Sequence, residues 1–502
     1  MLLFFISAVL LIAGYFTYGF FVEKVLGIEP QRTTPAYANG DGVDFVPMPP
    51  LKVFLIQFLN IAGLGPIFGA VLGAVYGPVC LLWIVFGSIF AGAVHDYLSG
   101  MASVRTGGHS ILDIVHSVFG QKARTVLMLF LCLFLLLVGA VFAVNPAKML
   151  AGITSFPFWG WLAIIFGYYF IATMFSVDKI IGRLYPFFAI LLLAMSCWML
   201  IKICFIAQPW YPQLTFSNIH PSGQPVFPLL FITVACGALS GFHATQSPMM
   251  ARCLTNEKYG RPCFYGTMIL EGLLALMWAT FGTAFYQSTE AIASAVKTAG
   301  QAGAVSQIST GFLGSIGGSL TIVAVVVLAV TSGDTAFRSL RLNIADFFGI
   351  SQKKVKNRLL ISSVIFVCGI ALSLTDTTKL WMYFGWANQT LACITLWTIT
   401  VHFRKTGRNF LITIIPAVFM TAVCSSYILY DKIGFSLSIG NSVIGGIIMA
   451  AAALISFFIF APKGNRKTAL PGADFVSQES VSNSKEKTEK EEKAEDNFQK
   501  KG

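Results

Sequence analysis

The chain has 502 residues, of which 56% are hydrophobic and only 11% charged, with a formal net charge of +12. An ordinary soluble domain carries about 25% charged residues, so lipid must be the solvent for most of this chain, and a water-soluble fold is excluded. The positive charge is not that of a nucleic-acid binder, because the Lys and Arg lie in short segments between apolar runs and no basic stretch is interleaved with exposed aromatics.

The first span runs from about Leu2 to Val22 with no basic residue before it, and reads as a retained anchor with its N-terminus outside rather than a signal peptide. Residues 23–52 are rich in Pro, Gly and Asp and read as a cytoplasmic loop too irregular for a helix. Spans follow at roughly Val53–Tyr76, Val79–Gly100, Thr125–Val144, Phe158–Phe175 and Leu184–Ile206, then at Phe227–Gln246, Phe264–Gln287, Leu320–Ala336, Leu359–Leu374, Leu380–Phe403, Phe410–Tyr430 and Val443–Phe460. Each approaches the ~20 residues that cross ~30 Å of hydrocarbon, which gives about thirteen spans. Residues 462–502, with their KEKTEKEEKAEDNFQKK run, read as a disordered charged cytoplasmic tail.

The basic residues test this count. Segments assigned inside hold Lys24, Arg32, Lys52, Arg105, Lys122, Arg124, Lys179, Arg183, Arg252, Lys258, Arg261, Arg338, Arg341, Lys353, Lys354, Lys356, Arg358, Arg404, Lys405 and Arg408. Those assigned outside hold only Lys148, Lys202, Lys297, Lys379 and Lys432. A missed span would scramble so strong a positive-inside bias. The ten Cys are scattered with no CxxC pair, so neither a disulfide framework nor a zinc site is indicated.

Two spans carry breaks. NIAGLGPIFGA places Gly63, Gly65 and Pro66 in the middle of the second, and FITVACGALSGFHATQSP places Gly237, Ser240, Gly241, His243, Thr245 and Gln246 in the seventh. Irregular backbone at membrane depth survives only where protein or a water-filled cavity satisfies its freed N–H and C=O groups. Each break opens a group of five spans, 53–206 and 227–403; five is odd, so the second group has the opposite topology to the first. Paired broken helices at matched positions of inverted halves point to a transporter site near the midplane. The expected fold is an all-α polytopic membrane protein with a 5+5 inverted repeat. Residues 1–22 form a peripheral helix and 409–461 two more.

At Gly63–Pro66 and Gly237–His243 a helix would stop and restart, with Ser240 capping the second restart, and two such N-terminal ends favour an anionic group. The alternative is that these glycines only allow close helix packing. In the ninth span LAVTSGDTAFRSLR puts Thr331, Ser332, Asp334 and Thr335 within about one turn. The hydroxyls of Thr331 and Ser332 can complete a Na⁺ site, or Asp334 can carry a proton, or Asp334 can pair structurally with Arg338 one turn on. His243 suits a proton relay, a substrate hydrogen bond, or a plain interior role. Glu271 can pair with a neighbouring His or Arg, Asn388 and Gln389 can line the cavity or join helices, and His95 and Asp96 read as lying at the inner membrane face near Arg105.

Several long motifs resemble the carbon starvation protein A family of bacterial inner-membrane proteins: TPAYANGDGVDFVP, AGLGPIFGAVLGAVYG, AGAVHDYLSGMASVRTGGHS, FITVACGALSGFHA, SGDTAFRSLRLNIADFFG and LWMYFGWANQTLA. The resemblance covers Met1 to about Phe460. It implies a leucine-transporter-like fold of the amino-acid–polyamine–cation superfamily, and uptake of peptides or of a small carboxylate such as pyruvate during carbon shortage. After SGFHA the chain reads TQSPMMAR where many relatives carry a Ser-Gly-Thr run, Thr331 and Ser332 stand where relatives place Asp, and the charged tail replaces a longer C-terminal region.

The leading expectation is thus a secondary active transporter importing a peptide or small carboxylate by H⁺ or Na⁺ symport, with no cofactor, no nucleic-acid partner and no metal beyond a Na⁺ at Thr331 and Ser332. Its substrate site is expected at Gly63, Gly65, Pro66, Gly237, Ser240, Gly241, His243 and Asn388. A GxxxxGK[ST] motif is absent, which disfavours nucleotide-driven transport. Two rivals remain. An intramembrane aspartyl protease would need a second carboxylate beside Asp334, for which only Glu271 offers itself. A starvation sensor would signal through the tail.

Overall fold

A computed structural model describes residues 1–174, 181–205, 208–211, 215–352 and 354–464; the expected tail beyond 464 and Lys179 lie outside them. The described residues are helical, and their single β-bridge joins Met48 to Leu254. Among the described residues nine helices are long and apolar enough to cross a membrane, and a bent pair makes ten. In chain order the helices are α1 (Leu2–Leu26), the bent pair α2 (Pro50–Ile61) and α3 (Gly65–Tyr76), α4 (Val79–Arg105), α5 (Ile111–Phe119), α6 (Gln121–Ile153), α7 (Phe158–Met174) and α8 (Ile181–Cys204). Then come α9 (Val226–Thr233), α10 (His243–Ala251), α11 (Glu257–Tyr286), α12 (Thr289–Phe348), α13 (Val355–Ser373), α14 (Thr377–Lys405), α15 (Leu411–Tyr430) and α16 (Ile439–Phe460).

Three expected spans differ from this set for identifiable reasons. Helix α7 has 17 residues, α14 is long but polar, and the expected span Phe227–Gln246 is cut into α9 and α10 by nine non-helical residues. In the other direction, the stretch before the ninth span is helical. Helix α12 takes in Ser- and Ala-rich sequence from Thr289 onward, with Ser288 accepting the Ala291 N–H as its N-cap at 3.1 Å. It is a succession of pieces, because Gly300 and Gly314 both adopt φ of +70°, a region open to glycine at little cost.

Helix α6 lies along α12, α8 touches α2 and α12, α10 packs on α4, and α14, α15 and α16 follow one another side by side. Apolar residues such as Leu2, Ile316 and Phe205 stay exposed, as expected of surfaces solvated by lipid. Inside the bundle α3 presents Gly69 and Gly73 to the end of α9 and Gly65 to Cys236 beyond it. A Cβ on Gly69 would stand 2.7 Å from Thr233 O, and one on Gly73 2.3 Å from the Val234 side chain. The two broken segments therefore touch backbone to backbone.

The segment 27–48 is tied down at one end of the bundle. The Glu257 carboxylate, fully buried, accepts from Arg105 Nε at 3.2 Å and Nη2 at 2.9 Å and from the Glu29 N–H at 2.8 Å, and lies 3.0 Å from Arg32 Nε. Arg105 was expected beside His95 and Asp96. The nine residue steps of α4 from Asp96 to Arg105 place them about 13 Å apart along the axis, so Asp96, fully buried, lies deep in the bundle rather than at its face. Glu257→Ala leaves the Arg105 guanidinium buried without its carboxylate, a change that costs about 3–5 kcal/mol. A clear fall in the melting temperature of the purified protein is expected, and an unchanged one would show that the clamp contributes little.

Candidate functional site

The first break begins where α2 ends: Ala62 leaves helical geometry with ψ of 43°, and the chain restarts at Gly65 with a bend of 56°. Gly63 packs on the Phe142 ring, and a Cβ there would stand 3.2 Å from Ser332 Oγ. The Ser332 hydroxyl lies across the gap within 3.4 Å of Leu59 O and 3.1 Å of Asn60 O, and 3.1 Å from Leu328 O of its own helix, so these three carbonyls share its one hydrogen. Thr331 donates to Leu328 O within its own helix. Of the expected hydroxyl pair, Ser332 is the one that addresses the break. Asn60 is also here, fully buried, with neither amide atom hydrogen-bonded. The sequence signal for it was an amide three residues ahead of Gly63.

The second break begins after Thr233. Gly237 has φ of +92°, and a Cβ on it would stand 2.5 Å from the Ala275 Cβ and 3.5 Å from Pro66; only glycine takes that conformation in that space. Helix α14 replaces the lost helical hydrogen bonds. Asn388 Oδ1 accepts from Ser240 Oγ at 3.1 Å and from the Phe242 N–H at 2.8 Å, and Gln389 Nε2 donates to Leu239 O at 2.8 Å. Ser240 was expected to cap the restarting helix. It does not, because its hydroxyl is committed to Asn388, and α10 has no side-chain cap. Gly241 lets α14 approach, since a Cβ there would meet Asn388 O at 2.2 Å. Asn388→Ala should strand two buried donors at about 1–3 kcal/mol each, seen as a lower melting temperature that Asn388→Asp partly restores.

A charged cluster sits against this break. His243 opens α10, and its Nδ1 is 2.7 Å from Asp96 Oδ2; His95 Nδ1 is 2.8 Å from Asp96 Oδ1; and His243 Nε2 is 3.4 Å from Glu271 Oε2 on α11. All four side chains are 0% exposed. Cys236 lies close by: Cys236, His243 and Glu271 each offer a donor atom within 4.8 Å of the others, compact enough for a small cation, a proton included. The sequence singled out His243 and named Glu271 as a residue in search of a partner. It did not connect Asp96 or Cys236 with them, because sequence spacing gives no sign of a contact across 147 positions.

The remaining expected residues form a separate group. Asp334 Oδ2 accepts from the Tyr185 hydroxyl at 2.8 Å, and Arg338 donates to Ala172 O at 2.5 Å and lies 3.8 Å from Asp44. Asp334 and Glu271 thus serve different clusters, which gives no support to a two-carboxylate protease. The structure brings together Gly63 with Ser332, Gly65 with Cys236, Pro66 with Gly237, and Ser240 and Gly241 with Asn388. A cavity of about 280 Å³ reaches α9 at Thr233 and α14 at Gly385, with Tyr76, His220, Lys297 and Trp381 in its walls. From the Trp381 wall of this cavity, Phe68, Trp381, Phe384 and Phe142 are linked ring to ring at 5.5–5.8 Å, and Phe142 is the ring beside Gly63.

Two broken helices crossing in a buried polar centre are a feature of membrane transporters, and solved structures share the fold. A manganese transporter of Eremococcus coleocola is similar over 84% of this chain and 98% of its own, with a TM-score of 0.57 and 12% identity. Mhp1, a nucleobase-cation-symport-1 family transporter, is similar over 85% of this chain and 96% of its own, with a TM-score of 0.53 and 16% identity. Among sequences, a Haemophilus influenzae membrane protein of uncharacterised role is 44% identical over 59% of this chain and 94% of its own. The peptide transporter CstA of Helicobacter pylori strain 26695 is 26% identical over 83% of this chain and 80% of its own. The pyruvate/proton symporter BtsT of Escherichia coli is 26% identical over 53% of this chain and 46% of its own. The family described as carbon starvation protein CstA matches residues 1–160, 144–312 and 280–426, so both breaks and the Asp96, His243 and Glu271 cluster fall inside the match. This chain is a multi-pass membrane protein that belongs to the carbon starvation protein CstA family.

Proposed function

We propose that the protein is a secondary active transporter that imports a peptide or a small carboxylate such as pyruvate across a bacterial inner membrane, in symport with H⁺ or Na⁺. The single observation that carries this reading is the contact of the two helix breaks, Gly65 on Cys236 and Pro66 on Gly237, in a buried centre where Asn388 and Ser332 satisfy freed backbone groups. Backbone of this kind is retained at membrane depth where it lines a site. Substrate contacts are assigned to Gly63, Gly65, Pro66, Gly237, Ser240, Gly241, His243 and Asn388. The N–H groups that open α10 face a carboxylate favourably.

On this reading the membrane region is a leucine-transporter-like 5+5 inverted repeat, 53–206 and 227–403, in about thirteen spans, with the N-terminus outside and the C-terminus cytoplasmic. The names of two relatives, a peptide transporter and a pyruvate/proton symporter, support the substrate class. Ser332, spanning from α12 to the carbonyls of the first break, supports a Na⁺ site there with Thr331. Alternating access would open the aromatic layer at Phe68, Trp381 and Phe384 toward the 280 Å³ cavity. The test is ligand stabilisation of the purified protein. A true substrate at 100 times its Kd adds about 2.7 kcal/mol, so pyruvate or a dipeptide should raise the melting temperature, and Ser240→Ala should weaken that response. No response to either compound would contradict the substrate assignment.

A further inference from the structure

We propose that the His243–Glu271 contact, buttressed by Asp96, is the proton-carrying site of this chain. Asp96 meets two imidazoles, His95 Nδ1 at 2.8 Å and His243 Nδ1 at 2.7 Å, and the far side of His243 meets Glu271 Oε2 at 3.4 Å. Each contact joins two atoms that repel unless a proton lies between them, because a carboxylate only accepts and an imidazole nitrogen without hydrogen also only accepts. The proton of neutral His95 fills the first contact. Neutral His243 brings one proton, which can fill its contact with Asp96 or its contact with Glu271, but not both. Filling all three requires one proton beyond those of the neutral rings.

That proton belongs to the cluster rather than to one atom. It takes the charge of the cluster from −2 to −1 in a place where every member is 0% exposed. The titratable groups that face His243 are Asp96 from α4, itself backed by His95, the Cys236 thiol from the unwound segment, and Glu271 from α11; the Asn388 amide of α14 reaches the same thiol. A carboxylate docked where α10 begins would be repelled by the −2 state and tolerated by the −1 state, so proton and anionic substrate stabilise each other's binding. The step is a proton transfer onto, and later off, the His243 Nε2 and Glu271 Oε2 pair; no other bond forms or breaks.

The substrate half of this proposal rests on the transport reading above, and the proton half does not, so the two are tested apart. Infrared pH-difference spectra of the purified full-length chain are compared with those of Glu271→Gln, whose amide fills the third contact without an added proton. The wild type should show a carboxyl or imidazole ionisation that Glu271→Gln lacks and Glu271→Asp restores at a shifted position. Identical spectra for wild type and Glu271→Gln would overturn the proposal whatever the substrate, as would a stoichiometric transition metal in the wild type that Glu271→Gln loses. In proteoliposomes holding a pH dye and given labelled pyruvate or a dipeptide, proton movement per substrate should fall by about tenfold or more in Glu271→Gln. Unchanged proton movement in that variant, or wild-type transport driven by Na⁺ alone, would refute the proton site and leave the transport reading standing.

Discussion

His243→Ala should all but abolish uptake while leaving the chain inserted in the membrane. The imidazole separates Asp96 from Glu271 and touches both, so its removal leaves two buried carboxylates without their shared partner. Breaking a buried pair in this way costs about 3–5 kcal/mol, equivalent to about 10²-fold or more in a rate or affinity. His243→Gln, which can still donate to Asp96, should lose less. The measurement is initial uptake rate in proteoliposomes, corrected for the amount of monodisperse protein reconstituted. Normal uptake by His243→Ala would remove His243 from the site.

The second large effect is expected at Gly65. A Cβ there would lie 2.1 Å from the Cys236 Cβ and 2.4 Å from its Sγ, a distance no real contact reaches, so Gly65→Ala must push the two broken segments apart. Overpacking of this kind costs about 1–3 kcal/mol, and it falls where the breaks have to approach each other for the centre to close. Cys236→Gly removes both of the offending atoms. Uptake should therefore be nearly lost in Gly65→Ala and partly recovered in the double variant, an interaction between neighbours that a mutant cycle isolates. If the two changes are simply additive, the breaks do not meet at these residues.

The breaks were legible in the sequence because Gly, Pro and hydroxyl residues stand out in an apolar run, and the same contrast brought out Gly63, Gly65, Pro66, Gly237 and Gly241. What interrupted the prediction was of two kinds. The helical pieces from Thr289 to Gly318 are too polar and Gly-rich to resemble a span, yet their Ala and Ser content is compatible with a helix that packs on its neighbours. The charged cluster depends on contacts between α4, α10 and α11 that no spacing rule encodes. Asp96 was placed beside Arg105 because they share a helix, whereas the fold gives Arg105 to Glu257 and Asp96 to His243. Ser240 failed as a cap for a similar reason: Asn388, 148 residues away, takes its hydroxyl.

The most direct measurement is accumulation of labelled pyruvate and of a labelled dipeptide by proteoliposomes, with a proton gradient and a sodium gradient imposed separately. Coupled transport predicts accumulation of one of them above equilibrium under one gradient, abolished by an ionophore that collapses that gradient. No accumulation of either compound under either gradient, by protein that is monodisperse and correctly inserted, would contradict it.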